Sequence, residues 1–227
     1  MTKSVIAIDG PAGAGKSTIA KLAAKKLNYI YIDTGAMYRA VSWKVLQENP
    51  EITSPVDSEK VIDTLKDIDI KLSYDEQQNT VVTVNGTDVS KAIRTPKVTS
   101  LVASVAAIAE VRSKMVELQR KMAMAGKVLM DGRDIGTCVL PNADLKIFLT
   151  ASADERARRR AKQLELKGYA GSDIDIEKIK HDIIARDEAD MNRAVSPLKQ
   201  AEDAVLLDTT KMNIDEVLNA IIAMAKD

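Results

Sequence analysis

The sequence predicts an α/β fold built on a parallel sheet, and three observations predict it. A short apolar run, Val5 to Ile8, enters a glycine-rich loop that opens onto a helical pattern. Further short apolar runs alternate with long helical segments, which is how the strands and crossover helices of a parallel sheet read. One stretch, 68–90, breaks the alternation with period-two patterning around polar turns.

The elements follow in order. Val5, Ile6, Ala7 and Ile8 read as a fully buried strand. After the loop, Ile19, Ala20, Leu22, Ala23, Ala24 and Leu27 keep a helical period. YIYIDTG (29–35) is a second strand ending in a polar loop, followed by a helix over 39–47. An insertion over 62–95 carries the period-two stretch and its Asn85-Gly86 turn, a small antiparallel β unit. One helix is expected over 99–125, then strands at 127–134 and 145–151. Charged helices over 154–166 and 176–190 flank a loop tip at 168–173. A strand at 204–210 and a helix at 214–225 complete the set, for five parallel strands in one 1–227 domain. Ligands of such sheets bind beyond the carboxyl ends of the strands, where Asp9, Asp33 and Asp131 lie.

The loop carries the first chemistry. Gly10-Pro11-Ala12-Gly13-Ala14-Gly15-Lys16-Ser17-Thr18 has the spacing of a phosphate-binding P-loop, with a strand before it and a helix after it. Successive N–H groups converge at the positive end of the following helix. Lys16 would reach the terminal phosphates and the Ser17 hydroxyl a magnesium ion. The loop therefore predicts a nucleoside triphosphate site.

Composition narrows the class. Lysine plus arginine and aspartate plus glutamate number 33 each, so no global field draws the chain to nucleic acid or to membranes. The single cysteine, Cys138, excludes an intramolecular disulfide framework and suits a reducing compartment. The N-terminus runs straight into the first strand, with no signal peptide expected, and no apolar run approaches membrane-spanning length. The expectation is a cytoplasmic monomer. His181 reads as a helix surface residue, while Cys138 and Trp43 read as packing residues.

Arginines then suggest a second phosphorylated ligand. They recur in DTGAMYR (33–39), DGRDIGT (131–137), ERARRR (155–160) and ARDEADMNR (185–193). Arg156 and Arg160 are four apart on one helix face, as are Arg186 and Asp190, and Arg193 falls near the latter face. Guanidinium groups fork onto phosphate oxygens with two parallel bonds, so such clusters suit transfer between two phosphate-bearing molecules. No guanine-reading Asn-Lys-x-Asp run and no transporter signature accompanies the loop.

IDGPAGAGKST, DTGAMYR, DGRDIGT, KIFLTAS and RDEADMNRAVSPL together resemble the bacterial cytidylate kinases, from Ser4 to the C-terminus. The resemblance implies a three-layer P-loop kinase fold, with 62–95 as the monophosphate-binding insertion and 155–173 as a helical lid. It implies transfer of the γ-phosphoryl group of ATP to CMP or dCMP, with Mg²⁺. Thr34, Arg39, Arg133 and Arg193 would hold the CMP phosphate, and Arg186 and Asp190 the ribose. Arg112 and Asp134 would read cytosine, and Arg156 and Arg160 would close over ATP. Lys16, Arg133, Arg156, Arg160 and Arg193 form the implied catalytic set, with Ser17 and Asp131 on the metal side. Where the family carries a base-contacting serine, this chain has Ala103, with Ser100 and Ser104 beside it. The alternatives are another small-molecule P-loop kinase, such as one acting on UMP, and a regulator that binds ATP without transfer.

Overall fold

A computed structural model describes residues 4–77, 79–166, 168–169 and 174–226. In chain order it contains β1 (Val5–Asp9), α1 (Lys16–Leu27), β2 (Ile30–Asp33), α2 (Thr34–Glu48) and α3 (Ser58–Thr64). Next come β3 (Ile70–Tyr74), β4 (Thr80–Val84), β5 (Thr87–Asp88), α4 (Pro96–Ala106) and α5 (Ala109–Ala123). The chain ends with β6 (Val128–Gly132), β7 (Leu145–Thr150), α6 (Ala153–Glu165), α7 (Ile176–Asn192), β8 (Val205–Asp208) and α8 (Ile214–Lys226). The fold class is the expected α/β one. The five-stranded sheet runs in the order β2-β6-β1-β7-β8. β1 pairs in parallel with β6 and β7, and β7 with β8.

Two compact units emerge, Met1–Tyr31 with Ala125–Asp227, and Ile32–Met124. In the first, Ile6, Ile8, Leu129, Ile147 and Leu149 are buried to within 1% of complete exclusion and pack with α1 and α8. This is the all-apolar strand interior expected when helices cover a parallel sheet. Gly10 ends the central strand at φ +148°, and a Cβ there would lie 2.0 Å from the Leu149 carbonyl oxygen. Only glycine lets β1 pass this close to β7 while the chain turns into the loop.

In the second unit, β3, β4 and β5 form the small antiparallel sheet that the period-two pattern predicts. Asn85 takes a left-handed conformation at the turn, with Gly86 after it. α2 packs against α3, α4, α5 and β4.

Two helix boundaries differ from expectation. α2 begins at Thr34 rather than near 39, because the Asp33 side chain caps it by accepting from Ala36 N–H at 2.9 Å. The single helix expected over 99–125 is two helices, with Ile108 extended at φ −74°, ψ 127° between them. No glycine or proline marks that break in the sequence. The loop tip expected at 168–173 lies outside the described residues except for Gly168 and Tyr169, and so does that part of the expected lid.

Candidate active site

The P-loop occupies the gap between β1 and α1. Gly15 is left-handed at φ 89° and precedes the first helical residue, Lys16, so the loop closes onto the N-terminus of α1. That end has no side-chain cap and no acidic residue in its first turn. Its amides thus keep the positive end of the helix open to an anion. Lys16 is 4% exposed and donates to the Pro11 carbonyl at 2.7 Å. Burial, then the neighbouring Arg133 charge, push its ammonium well below the usual lysine range, against the pull of Asp131 and Asp9.

Ser17 and Asp131 meet. The Ser17 hydroxyl donates to one Asp131 oxygen at 2.8 Å, and the Tyr31 hydroxyl donates to the other at 2.8 Å. Asp131 lies on β6, buried beside the central strand. A hydroxyl and one buried carboxylate are the protein share of a magnesium site that keeps most of its ligands as water and phosphate oxygen. The residues present fit that ion.

Four sequence-predicted residues form one linked array in the first unit. Arg133 Nε donates to Asp190 at 2.9 Å. Arg193 donates to Asp134 at 3.2 Å and stands 3.7 Å from Asp190. The side chains of Asp134 and Arg193 are 6% and 8% exposed, so this pair is buried, while Arg133 and Asp190 are partly buried. Arg193 lies just past the end of α7 in extended conformation, not on the helix, and also donates to Ser196 O at 2.6 Å. Arg186 is held below the usual arginine range, by burial first and by Arg133 second.

Arg156 and Arg160 part company. Arg156 is 7% exposed and donates to Ala151 O at 2.9 Å, to Ala12 O at 2.8 Å and to Asp187. Asp187 in turn accepts from Ala12 N–H at 2.9 Å. The Ala12 residue of the P-loop is thus gripped through its N–H and its C=O by one buried ion pair. Arg160 is exposed and reaches Gln163 at 3.4 Å. Arg159, not among the residues expected at the site, donates to Ala14 O at 3.3 Å and to Thr209 O at 2.6 Å. Its signal was its place three residues after Arg156 in ERARRR. Asp187 sits beside Arg186 in the run already singled out.

In the sequence Asp9 reads only as a strand end. Its two carboxylate oxygens each accept one buried backbone N–H, Ile135 on one and Gly136 on the other, both at 2.7 Å. Burial raises its pKa to about 6, while the two amides pull down and Asp134 pushes up. The chain it holds forms a single π turn, Ile135–Val139, directly after Arg133 and Asp134.

In the second unit Thr34 is buried in the first turn of α2. Arg39 donates to Thr99 Oγ1 at 2.7 Å and to Ile93 O at 3.4 Å. Arg112 is 2% exposed, donates to Ala106 O at 3.3 Å and lies 5.4 Å from the centre of the Tyr38 ring, a cation–π contact. Of the nearby serines, Ser100 donates to Lys97 O at 2.9 Å and Ser104 bonds to Ser54.

A family model described as cytidylate kinase matches residues 6–227. A cytidylate kinase from Desulforamulus reducens is 55% identical over 217 residues, covering 96% of this chain and 94% of its own. One from Bacillus subtilis is 50% identical over 220 residues, covering 97% and 95%. Among solved structures, an uncharacterized protein from Eubacterium ventriosum aligns with a TM-score of 0.51 at 12% identity, over 99% of this chain and 98% of that one. That likeness bears on the fold alone.

Proposed function

The chain belongs to the cytidylate kinase family, and on that premise we propose that it transfers the γ-phosphoryl group of ATP to CMP or dCMP, giving CDP or dCDP and ADP. The observation that carries the reading at the level of the site is the largely buried Arg133–Asp190–Arg193–Asp134 array, in the same unit as the P-loop. Such an array holds guanidinium groups in place before a phosphate arrives, so less side-chain freedom is lost on binding.

Gly10 through Thr18 are assigned to the donor phosphates, with Lys16 neutralising charge that develops during transfer. Arg133 and Arg193 are assigned to the acceptor phosphate, and Arg186 and Asp190 to the ribose. Within the second unit, Thr34 and Arg39 are assigned as phosphate ligands and Arg112 as a base ligand. Asp134 would accept from the cytosine N4 amino group while a guanidinium donates to N3 or O2. Uracil reverses that pattern and would leave charged groups unpaired, a basis for discrimination of ~10³ or more. Ser17, and Asp131 through water, would hold Mg²⁺. When bound, that ion supplies neutralising charge on the phosphate oxygens.

Arg156 supports the P-loop from behind through Ala12, and with Arg160 and the rest of 155–173 it is assigned to the lid that excludes water. No strong general base is needed, because a monophosphate oxygen is already nucleophilic. We place the protein in the cytoplasm as a monomer whose partners are nucleotides, not nucleic acid or membrane. No described helix is long and apolar enough to cross a membrane.

A coupled assay with ATP across CMP, dCMP, UMP, AMP and shikimate tests the reading. Turnover of CMP and dCMP well above the other acceptors is the expected result. ATP binding without transfer to any monophosphate would overturn it.

A further inference from the structure

We infer that Asp9 is a positioning residue for acceptor recognition. It clamps the loop that carries Arg133 and Asp134 onto the strand that begins the P-loop. The inference rests on the proposed roles of those two residues in holding CMP.

The geometry is specific to a carboxylate. The Ile135 and Gly136 N–H groups donate at 2.7 Å to separate oxygens of Asp9, across 126 and 127 positions of sequence. Both bonds are buried, and Asp9 itself is 5% exposed. A carboxylate is the only common side chain of this size that offers two acceptor oxygens and no donor. Asparagine would face one of the two amides with its own NH₂, leaving two donors opposed in a buried space. Short charge-assisted bonds of this kind hold geometry tightly.

The clamp acts on backbone next to the reading residues. Arg133 and Asp134 directly precede Ile135, and the Asp134 carbonyl accepts from Cys138 N–H at 2.9 Å and from Val139 N–H at 3.1 Å. Fixing Ile135 and Gly136 therefore fixes the start of the π turn and the direction in which both side chains leave the chain. Position 136 adds an independent sign of close fit. A Cβ at Gly136 would lie 3.1 Å from Lys146 Cδ, 3.3 Å from its Cγ and 3.4 Å from the Asp9 Oδ2 atom. Lys146 has little room to yield, being 8% exposed and paired with Asp203. A side chain at 136 would therefore press first on Lys146, and the backbone that Asp9 holds would have to give.

Asp9 is also the residue immediately before Gly10. One side chain thus ties the first residue of the donor loop to the loop assigned to the acceptor. A shift of about 1 Å in such a support can cost ~10²-fold in rate without touching a substrate.

The test uses the full chain and three variants, D9N, G136A and D134N. For each, kcat and KM are measured with CMP and with UMP, and ATP affinity is measured directly with a fluorescent ATP analogue. D9N is expected to lower kcat/KM for CMP by about tenfold or more, to narrow the CMP:UMP ratio, and to leave analogue affinity within about threefold. G136A displaces the same backbone while keeping the carboxylate, so it is expected to shift the ratio in the same direction. It carries the test if D9N does not fold. If D134N narrows the ratio and neither D9N nor G136A does, the clamp has no positioning role and the inference falls. If D134N leaves the ratio unchanged, the assignment of the base reader fails instead, and D9N must still lower kcat/KM for CMP through Arg133 or the clamp falls with it. Loss of analogue affinity in D9N equal to its loss toward CMP would show a general disturbance of the donor loop, which also overturns the inference.

Discussion

Arg133, Arg156 and Arg193 in the first unit and Arg39 and Arg112 in the second meet different acceptors. In the first, Arg133, Arg156 and Arg193 are set against the carboxylates of Asp190, Asp187 and Asp134, with side-chain exposures between 6% and 22%. In the second, Arg39 donates to a threonine hydroxyl and a carbonyl, and Arg112 to a carbonyl, with the Tyr38 ring 5.4 Å away. The difference is one of preorganisation. A buried guanidinium set on a carboxylate is desolvated and aimed in advance, at the cost of stability when either partner is removed. The same contrast runs through the two aspartates that end β1 and β2. Asp9 holds backbone more than a hundred positions away, whereas the one backbone N–H that Asp33 accepts belongs to the helix that follows it.

The largest expected effect tests the donor loop against the second unit. Lys16→Ala should reduce kcat by ~10³-fold or more while the protein stays folded, since the lost charge bears on the transition state. Its removal also relieves the cost of burying an ammonium, so Tm should not fall. Arg39→Ala should act mainly on KM for CMP, by about ten- to a hundredfold, as expected for one charged hydrogen bond. Steady-state kinetics on both variants decides. An Arg39→Ala loss of kcat as deep as that of Lys16→Ala would erase the distinction between the units.

Asp9 offers a thermodynamic test of the same contrast. Its pKa is raised from 3.8 to about 6 in the folded protein, chiefly by burial. A carboxyl with a raised folded pKa contributes stability that is fully present below about pH 4 and is lost as pH rises through 6. Relative to D9N, wild type should therefore lose up to about 3 kcal/mol of unfolding free energy between pH 4 and pH 7. Paired urea titrations of the two proteins at several pH values measure it. A difference that stays flat across the window would mean that Asp9 is not desolvated in the folded state. At neutral pH the group is ionised, the form in which both oxygens accept.

Base selection sharpens the role of the first unit. Asp134→Asn keeps the shape of the side chain but removes its charge and adds a donor. kcat/KM for CMP should fall by about ten- to a hundredfold, and the penalty against UMP should lessen, because the amide can turn its NH₂ toward uracil O4. Arg193 also loses a charged partner in this variant. A fall in CMP activity with an unchanged CMP:UMP ratio would assign the effect to Arg193 and the phosphate rather than to the base.

Legibility in the sequence followed range. The P-loop was visible because its glycines, lysine and hydroxyls fall within nine residues, and the antiparallel unit because alternation and an Asn-Gly turn are local signals. The fate of Arg156 was not. Its spacing from Arg160 suggests a shared face, but Ala12 and Asp187, distant in sequence, draw Arg156 inward while Arg160 stays exposed. Arg133 and Asp190 were each identifiable, yet their pairing depends on how α7 returns to β6. The break at Ile108 was hidden because it rests on backbone conformation without a punctuating residue. Asp9 was invisible as a clamp for the same reason, since its partners are main-chain amides and carry no side-chain signature.

The smallest expected effect lies in the second unit and closes the comparison between the two aspartates. Asp33 accepts one N–H, from Ala36 at 2.9 Å, and meets Arg94 at 3.4 Å, where the arginine side chain is 57% exposed. The Arg94 contact is long and its guanidinium is solvated, so it is of small worth although Asp33 itself is buried. The cap is an ordinary N-cap, for which replacement by alanine costs about 1 kcal/mol. Asp33→Ala should therefore destabilise the protein by about that amount, and Asp33→Ser, which keeps a capping oxygen, by a few tenths of a kcal/mol. Asp9 has no such substitute, because no hydroxyl offers two separated acceptor oxygens. Asp9→Ser should consequently behave like D9N in the acceptor assay, while Asp33→Ser behaves like wild type. Urea titration with CMP kinetics on the two serine variants makes the comparison directly. If serine rescues both positions equally, the second oxygen of Asp9 does nothing that a simple cap could not do.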